Sequence, residues 1–285
     1  MSLLREAAAE FLGTFVLVLL GNSVTAAIVF SGATGVSPLL GPLGWGLALM
    51  SAILITGGVS GAVLNPAVSV AQWSVGKVGW RRALPHMAAQ YAGAFMSAIA
   101  LYAVYFESFA VFDGGDREMP PHKLSTAHIF ATFPAEHAGA VTCFVDQVVS
   151  TALLMLGLCA IGDARNMAVP KGLQPLVVGL LLTSVIAAFP YNCAAPLNPA
   201  RDLAPRAFLA LAGWGHAVFS LRDYNYFWVP VVGPHVGAVL GAWVYRLLVR
   251  WPAEGGDTAS YDLPLQNFKP KEDKGSLAQV KSGLE

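Results

Sequence analysis

Long apolar runs dominate this chain, and polar residues fall mostly in the gaps between them. "FLGTFVLVLLGNSVTAAIVF" from Phe11 and "PLVVGLLLTSVIAAF" from Pro175 are two examples. A helix that crosses a bilayer needs about 20 predominantly apolar residues. The pattern predicts six such spans, over 7–30, 41–57, 83–106, 141–162, 174–189 and 226–250. Two further segments, 65–75 and 198–211, are too short to cross. Backbone at membrane depth must satisfy its own hydrogen bonds, be buried, or line a cavity. The two short segments therefore read as half-helices that enter and turn back.

Composition supports this reading. Of 285 residues, 55% are hydrophobic and 12% charged, and the mean hydropathy is +0.58. A soluble domain carries about a quarter of its residues charged, and here the apolar runs recur along most of the chain. The formal net charge is zero, so no nucleic-acid partner is expected. Cys143, Cys159 and Cys193 suit neither a disulfide framework nor a zinc site, and the six histidines lack metal-ligand spacing. No metal, cofactor or catalytic residue is expected. The opening "MSLLREAAAEFLGTF" has one basic residue and no small-residue cleavage signal after a short apolar core, so the first run reads as a retained span.

The basic residues suggest an orientation. With both termini cytoplasmic, 12 of the 17 Lys and Arg lie inside and 5 (Arg117, Lys123, Arg201, Arg206 and Arg222) outside. That bias is the expected one for a membrane protein. Segment 107–140 becomes a long outside loop, and the polar tail 251–285 reads as disordered.

The two halves, about 5–106 and 141–250, are alike. Glu10 near the start of the first corresponds to Gln147 in the second, and "GAFMSA" at 93–98 answers "GAVLGA" at 237–242. Small residues four apart let helices approach closely. Each half has three spans and one half-helix, and an odd number of spans inverts the second half. Inverted repeats with interrupted helices belong to transport architectures. The fold class is thus an all-α membrane protein of six transmembrane helices and two re-entrant half-helices in an inverted repeat.

Both half-helices open on the same phrase, Leu-Asn-Pro-Ala: Asn65-Pro66-Ala67 in the first, Asn198-Pro199-Ala200 in the second. Asn is a strong N-cap, and Pro suits the first helical position. Inversion brings the two N-termini face to face near the bilayer centre. With each Asn carbonyl capping its own helix, its NH2 is left as a donor. Two donors and two positive helix ends welcome the oxygen of water or a hydroxyl and repel a cation.

At this point the chain resembles the aquaporin, or major intrinsic protein, family, over residues 5–250. The phrases "GGVSGAVLNPA", "HIFATFPA", "NPARDLAPRAF" and "ALAGWGHAVF" are similar to the aquaglyceroporins, its glycerol-conducting branch. Asp202 directly after Arg201 is the mark of that branch, and Arg206 and Pro230-Val231 also match it. The resemblance implies a passive channel for glycerol and water, with urea as a further solute, in a homotetramer; with no organelle address visible in the sequence, the cell membrane is the default location. It also implies a selectivity filter of Trp45, Ile186, Ala195 and Arg201, placed 20 before Asn65 and 12 before, 3 before and 3 after Asn198. Ile186 departs from the Gly usual in this branch, and Val63 from the usual His.

By the same resemblance Glu10 and Gln147 support the re-entrant loops, and Asp202 pairs with Arg206. Leu64 and Leu197 shape the apolar wall beside the Asn pair, and the carbonyls of residues 61–63 and 193–195 accept from solute. An interfacial anchor is the lesser alternative for Trp45, and Cys193 is either a reactive thiol or a packed one. Three other functions are carried against the channel. A coupled transporter needs ionisable groups at the midplane, where only Glu10 and Asp146 are available. An enzyme would need a nucleophile or metal motif that is not found here. A scaffold role leaves no mark in the sequence.

Overall fold

The computed structural model describes residues 2–32 and 34–250; the expected tail 251–285 lies outside the described residues. Four helices build the first half: α1 (Leu3–Phe30), α2 (Leu40–Ser60), the half-helix α3 (Pro66–Ser74) and α4 (Trp80–Val104). A short α5 (Phe106–Asp113) and one turn of 3-10 helix (Ala127–Ile129) lead into the second half. That half holds α6 (Ala140–Gly162), α7 (Gln174–Ala188), the half-helix α8 (Pro199–Leu211), a single turn α9 (Ala217–Ser220) and α10 (Val229–Val244). A π-helical turn, Tyr245–Arg250, extends α10.

Five of these helices are long and apolar enough to cross a membrane, counting α10 with its extension. The expected sixth span, α7, has 15 residues, about 22 Å at 1.5 Å per residue. It stops at Ala188 because Pro190 restricts the residue before it. The stretch read as a continuous outside loop is partly helical. α5 tucks Phe109 fully out of solvent against Phe30, Phe130 and Trp214, while Val111 beside it is 87% exposed. Eight residues are too few for periodicity to reveal a helix; tertiary burial of Phe109 holds it.

The packing repeats between halves. α1 lies on α4 as α6 lies on α10, α10 supports α3 as α4 supports α8, and α2 meets α7. Glycines set these approaches. A β-carbon on Gly93 would overlap the Phe11 carbonyl, and one on Gly237 would overlap that of Val148. Phe11 follows Glu10 and Val148 follows Gln147, so the same contact is made twice. Where α2 crosses α7, Gly46 and Gly179 face each other; a β-carbon on Gly179 would lie 2.7 Å from the Gly46 carbonyl oxygen. Both glycines stand 19 residues before their half's Asn.

The core is apolar, as in a soluble protein, but it also encloses charged and polar groups, and the surface is apolar too. Glu10, Gln90, Gln147, Asp202 and Arg206 are 0% exposed. Leu54, Val141 and Leu248 are 63%, 78% and 71% exposed. A hydrocarbon surround removes the drive to hide Leu and Val, and makes every polar group seek a partner inside.

Candidate functional site

The half-helices meet at their N-termini, and each is capped as its sequence dictates. The Asn65 side-chain oxygen accepts from the Ala67 N–H at 2.9 Å. That of Asn198 accepts from the N–H groups of Ala200 at 3.0 Å and Arg201 at 3.3 Å. The amide NH2 groups are not wholly free, which corrects the sequence reading. Asn65 Nδ2 donates to the Leu197 carbonyl at 3.0 Å, and Asn198 Nδ2 donates to the Leu64 carbonyl at 2.8 Å. Each amide spends one hydrogen tying the two halves together and keeps the other for the passage.

The chain before each Asn has an unusual and repeated backbone. Gly61, Ala62 and Leu64 have positive φ of 90°, 48° and 54°; Ala194, Ala195 and Leu197 have 58°, 45° and 57°. Five of these six are not glycine, and such conformations are sparsely populated and strained. The strain is held by buried polar anchors. Glu10 accepts from the N–H groups of Val63 at 2.9 Å and Leu64 at 2.7 Å. It also accepts from Ser60 Oγ and, at 2.8 Å, from Gln90 Nε2. Gln147 accepts from the Leu197 N–H at 3.0 Å and donates to Asp146. Glu10 and Gln147 thus meet the loop backbones in both halves, and Gln147 does so with one bond where Glu10 makes two.

A cavity of about 790 Å³ runs between the half-helices. Its wall includes Asn65, Asn198, Leu64, Leu197 and Val63, together with Pro121, His122 and Tyr191. Trp45, Ile186, Ala195 and Arg201 all lie on this wall. Trp45 is 8% and Arg201 7% exposed, so the interfacial anchor does not describe Trp45. The Arg201 guanidinium lies 4.4 Å from the Trp45 ring centroid and donates from NH1 to the Phe130 carbonyl at 3.2 Å. Trp45 Nε1 donates to Thr25 Oγ1 at 3.3 Å, which fixes the ring plane.

Asp202 does not touch the cavity. Its Oδ1 accepts from Arg206 Nε at 3.0 Å and NH2 at 2.8 Å, a two-pronged pair. Its Oδ2 accepts from the Thr132 N–H at 2.7 Å and hydroxyl at 2.6 Å. With the Thr132 hydrogen committed, Tyr226 is the donor in its 3.1 Å contact with Thr132. Burial pushes the Tyr226 phenol well above its ordinary range, so it keeps that proton. Arg206 also donates to the Val218 carbonyl at 2.8 Å and to that of Thr132. The pair fastens "HIFATFPA" to α8, and Phe130 in that phrase holds Arg201. Thr132, Phe130 and Thr25 were not singled out from the sequence; the first two stand in a quoted phrase, and Thr25 carries no local signal.

The repeated capped helices, their strained approach loops and the Arg-bearing wall coincide with one family model, "Major intrinsic protein", which matches residues 1–245. The chain belongs to the major intrinsic protein family. This major intrinsic protein is 42% identical over 263 residues to aquaporin-10 of Milnesium tardigradum, covering 88% of this chain and 64% of that one. It thus spans slightly less than two thirds of that relative. It is 41% identical over 249 residues to human aquaporin-9, covering 87% and 84%. The X-ray structure of the aquaglyceroporin from Plasmodium falciparum superposes with a TM-score of 0.77 at 32% identity, covering 88% of this chain and 98% of that one. The all-helical membrane fold is therefore the aquaporin fold.

Proposed function

We propose that this protein is an aquaglyceroporin: a passive transmembrane channel for glycerol and water, and for urea, that excludes ions and protons. The observation that carries the reading is the wall of the passage at Trp45 and Arg201. A polyol has a C–H edge and a hydroxyl edge. Trp45 and Ile186 suit the first, and Arg201 donates to the second in fork geometry. The filter is Trp45, Ile186, Ala195 and Arg201. The carbonyls before each Asn accept solute hydroxyls, and the free amide hydrogens of Asn65 and Asn198 donate to solute oxygens. Fixed positive charge at Arg201 and two helix N-termini oppose cations.

The channel domain is 1–250, and no cofactor enters the mechanism. The active form is a homotetramer with one passage per subunit, in the cell membrane with both termini cytoplasmic. Membership of the major intrinsic protein family favours passive flow over transport driven by a gradient.

The test is shrinkage and re-swelling of proteoliposomes in glycerol against sucrose. Rapid glycerol-dependent re-swelling is expected. Its absence with correctly inserted protein rejects the reading, and saturable uptake driven by a proton gradient replaces it with a transporter.

A further inference from the structure

Cys143 and Cys193 form a buried thiol pair behind the filter loop. Both are free cysteines, 0% and 1% exposed. Cys143 sits in the first turn of α6, and Cys193 in the loop between α7 and α8. Each thiol reaches the other's segment: Cys143 Sγ lies 3.8 Å from the carbonyl oxygen of Asn192, the residue before Cys193, and Cys193 Sγ lies 3.9 Å from the Cys143 carbonyl oxygen. Cys193 receives the Gln147 Nε2 donor at 3.4 Å. Its chain neighbours Asn192 and Ala194 both line the passage.

We propose that this pair is a redox modification site: a peroxide entering the passage converts Cys143 and Cys193 to a disulfide, which clamps the filter loop to α6. Cys143 is the attacking sulfur. It stands in the first turn of α6, near the backbone N–H groups that have no partner within the helix. Arg222 NH1 donates to the Ala138 carbonyl, which also lies 4.0 Å from Cys143 Sγ, so a guanidinium is close by. The Cys143 thiolate displaces hydroxide from hydrogen peroxide and becomes a sulfenic acid, while its own proton and the hydroxide make water. Cys193 then attacks the sulfenic sulfur, an S–S bond forms, and a second water leaves. Two thiols lose two electrons and the peroxide gains them.

The clamp acts on transport through two connections. Cys193 is two residues from Ala195 on the passage wall and four from Leu197, whose carbonyl accepts from Asn65. Disulfide formation also changes the sulfur that receives Gln147, the residue holding the Leu197 N–H. Cys159 is 16 residues further along α6, about 24 Å away at 1.5 Å per residue, and serves as an internal control.

The experiment treats reconstituted protein with hydrogen peroxide, quenches with catalase, denatures, alkylates the remaining thiols and reads intact and peptide masses. Two of the three cysteines become unavailable, a peptide links Cys143 to Cys193, and Cys159→Ser leaves this result unchanged. Cys143→Ser and Cys193→Ser each abolish the link, with Cys143→Ala as a second variant where serine disturbs folding. Glycerol permeability changes by at least about twofold on oxidation and returns with dithiothreitol. Three alkylatable thiols after oxidation, or a link through Cys159, overturns the site. A Cys143–Cys193 link with unchanged permeability overturns the clamp. The mass readout needs no conduction, so its failure is separate from failure of the channel reading.

Discussion

The Arg201 guanidinium stacks over the Trp45 indole at 4.4 Å from the ring centroid. The two residues come from opposite halves of the chain, and each is held from behind, Arg201 by the Phe130 carbonyl and Trp45 by Thr25. An arginine so placed keeps its remaining N–H groups for whatever passes. A cation resting on a desolvated aromatic face gains up to about 2 kcal/mol, which favours one rotamer over many.

Arg201→Ala removes the charged donor of the wall. A hydrogen bond to a charged group is worth about 1.5–3 kcal/mol, and about 1.4 kcal/mol is a tenfold rate. Glycerol permeability is expected to fall by at least about tenfold at equal membrane abundance, with Arg201→Lys between the two. Stopped-flow light scattering on proteoliposomes measures it, and a wild-type glycerol rate for the alanine variant would remove Arg201 from the filter.

Ile186→Gly opens the wall of the cavity shared with Ala195 and Trp45. Glycerol flux rises severalfold, and linear polyols one or two carbons longer enter measurably. Swelling rates across a polyol series give the answer; an unchanged size limit would mean that Ile186 does not set the width.

Glu10→Gln is nearly isosteric but places an NH2 where only acceptors fit. Four donors converge on the two carboxylate oxygens, from Ser60, Val63, Leu64 and Gln90. Each donor left unsatisfied costs about 1–3 kcal/mol. Thermal unfolding in detergent should move down by several degrees, and water and glycerol permeability should fall together. A fall in glycerol alone would place Glu10 in selectivity instead of loop support.

Asp202→Ala leaves Arg206 buried and unpaired beside Phe133, over whose ring it lies 4.7 Å from the centroid. Breaking a buried pair on one side costs about 3–5 kcal/mol. The expected outcome is low yield and early unfolding, with Asp202→Glu partly rescuing both. A fully stable alanine variant with altered glycerol flux would give Asp202 a direct part in conduction.

How much of this was legible in the chain varies element by element. Asn65 and Asn198 announced themselves, because Asn-Pro at a helix start satisfies local rules that involve only the next three residues. The long helices were legible because hydrocarbon thickness demands a long apolar run. α5 was not: its eight residues form a helix because Phe109 is buried by Phe30, Phe130 and Trp214. Nor was the shared use of each Asn amide, since its second partner lies on the opposite half. The strained φ at Ala62, Leu64, Ala194, Ala195 and Leu197 has no local sign, because alanine and leucine do not seek that conformation.

By itself the sequence determined where helices start, which runs suit a membrane, and that the chain repeats itself inverted. These follow from interactions within a few residues and from the solvent each run prefers. Only the tertiary structure decided that Arg201 rests on Trp45, that Asp202 holds Thr132 behind the wall, and that Cys143 lies beside the Cys193 loop. Each of those is a contact between segments far apart in the chain. It exists because polar groups enclosed in an apolar bundle have no water to turn to and must find one another.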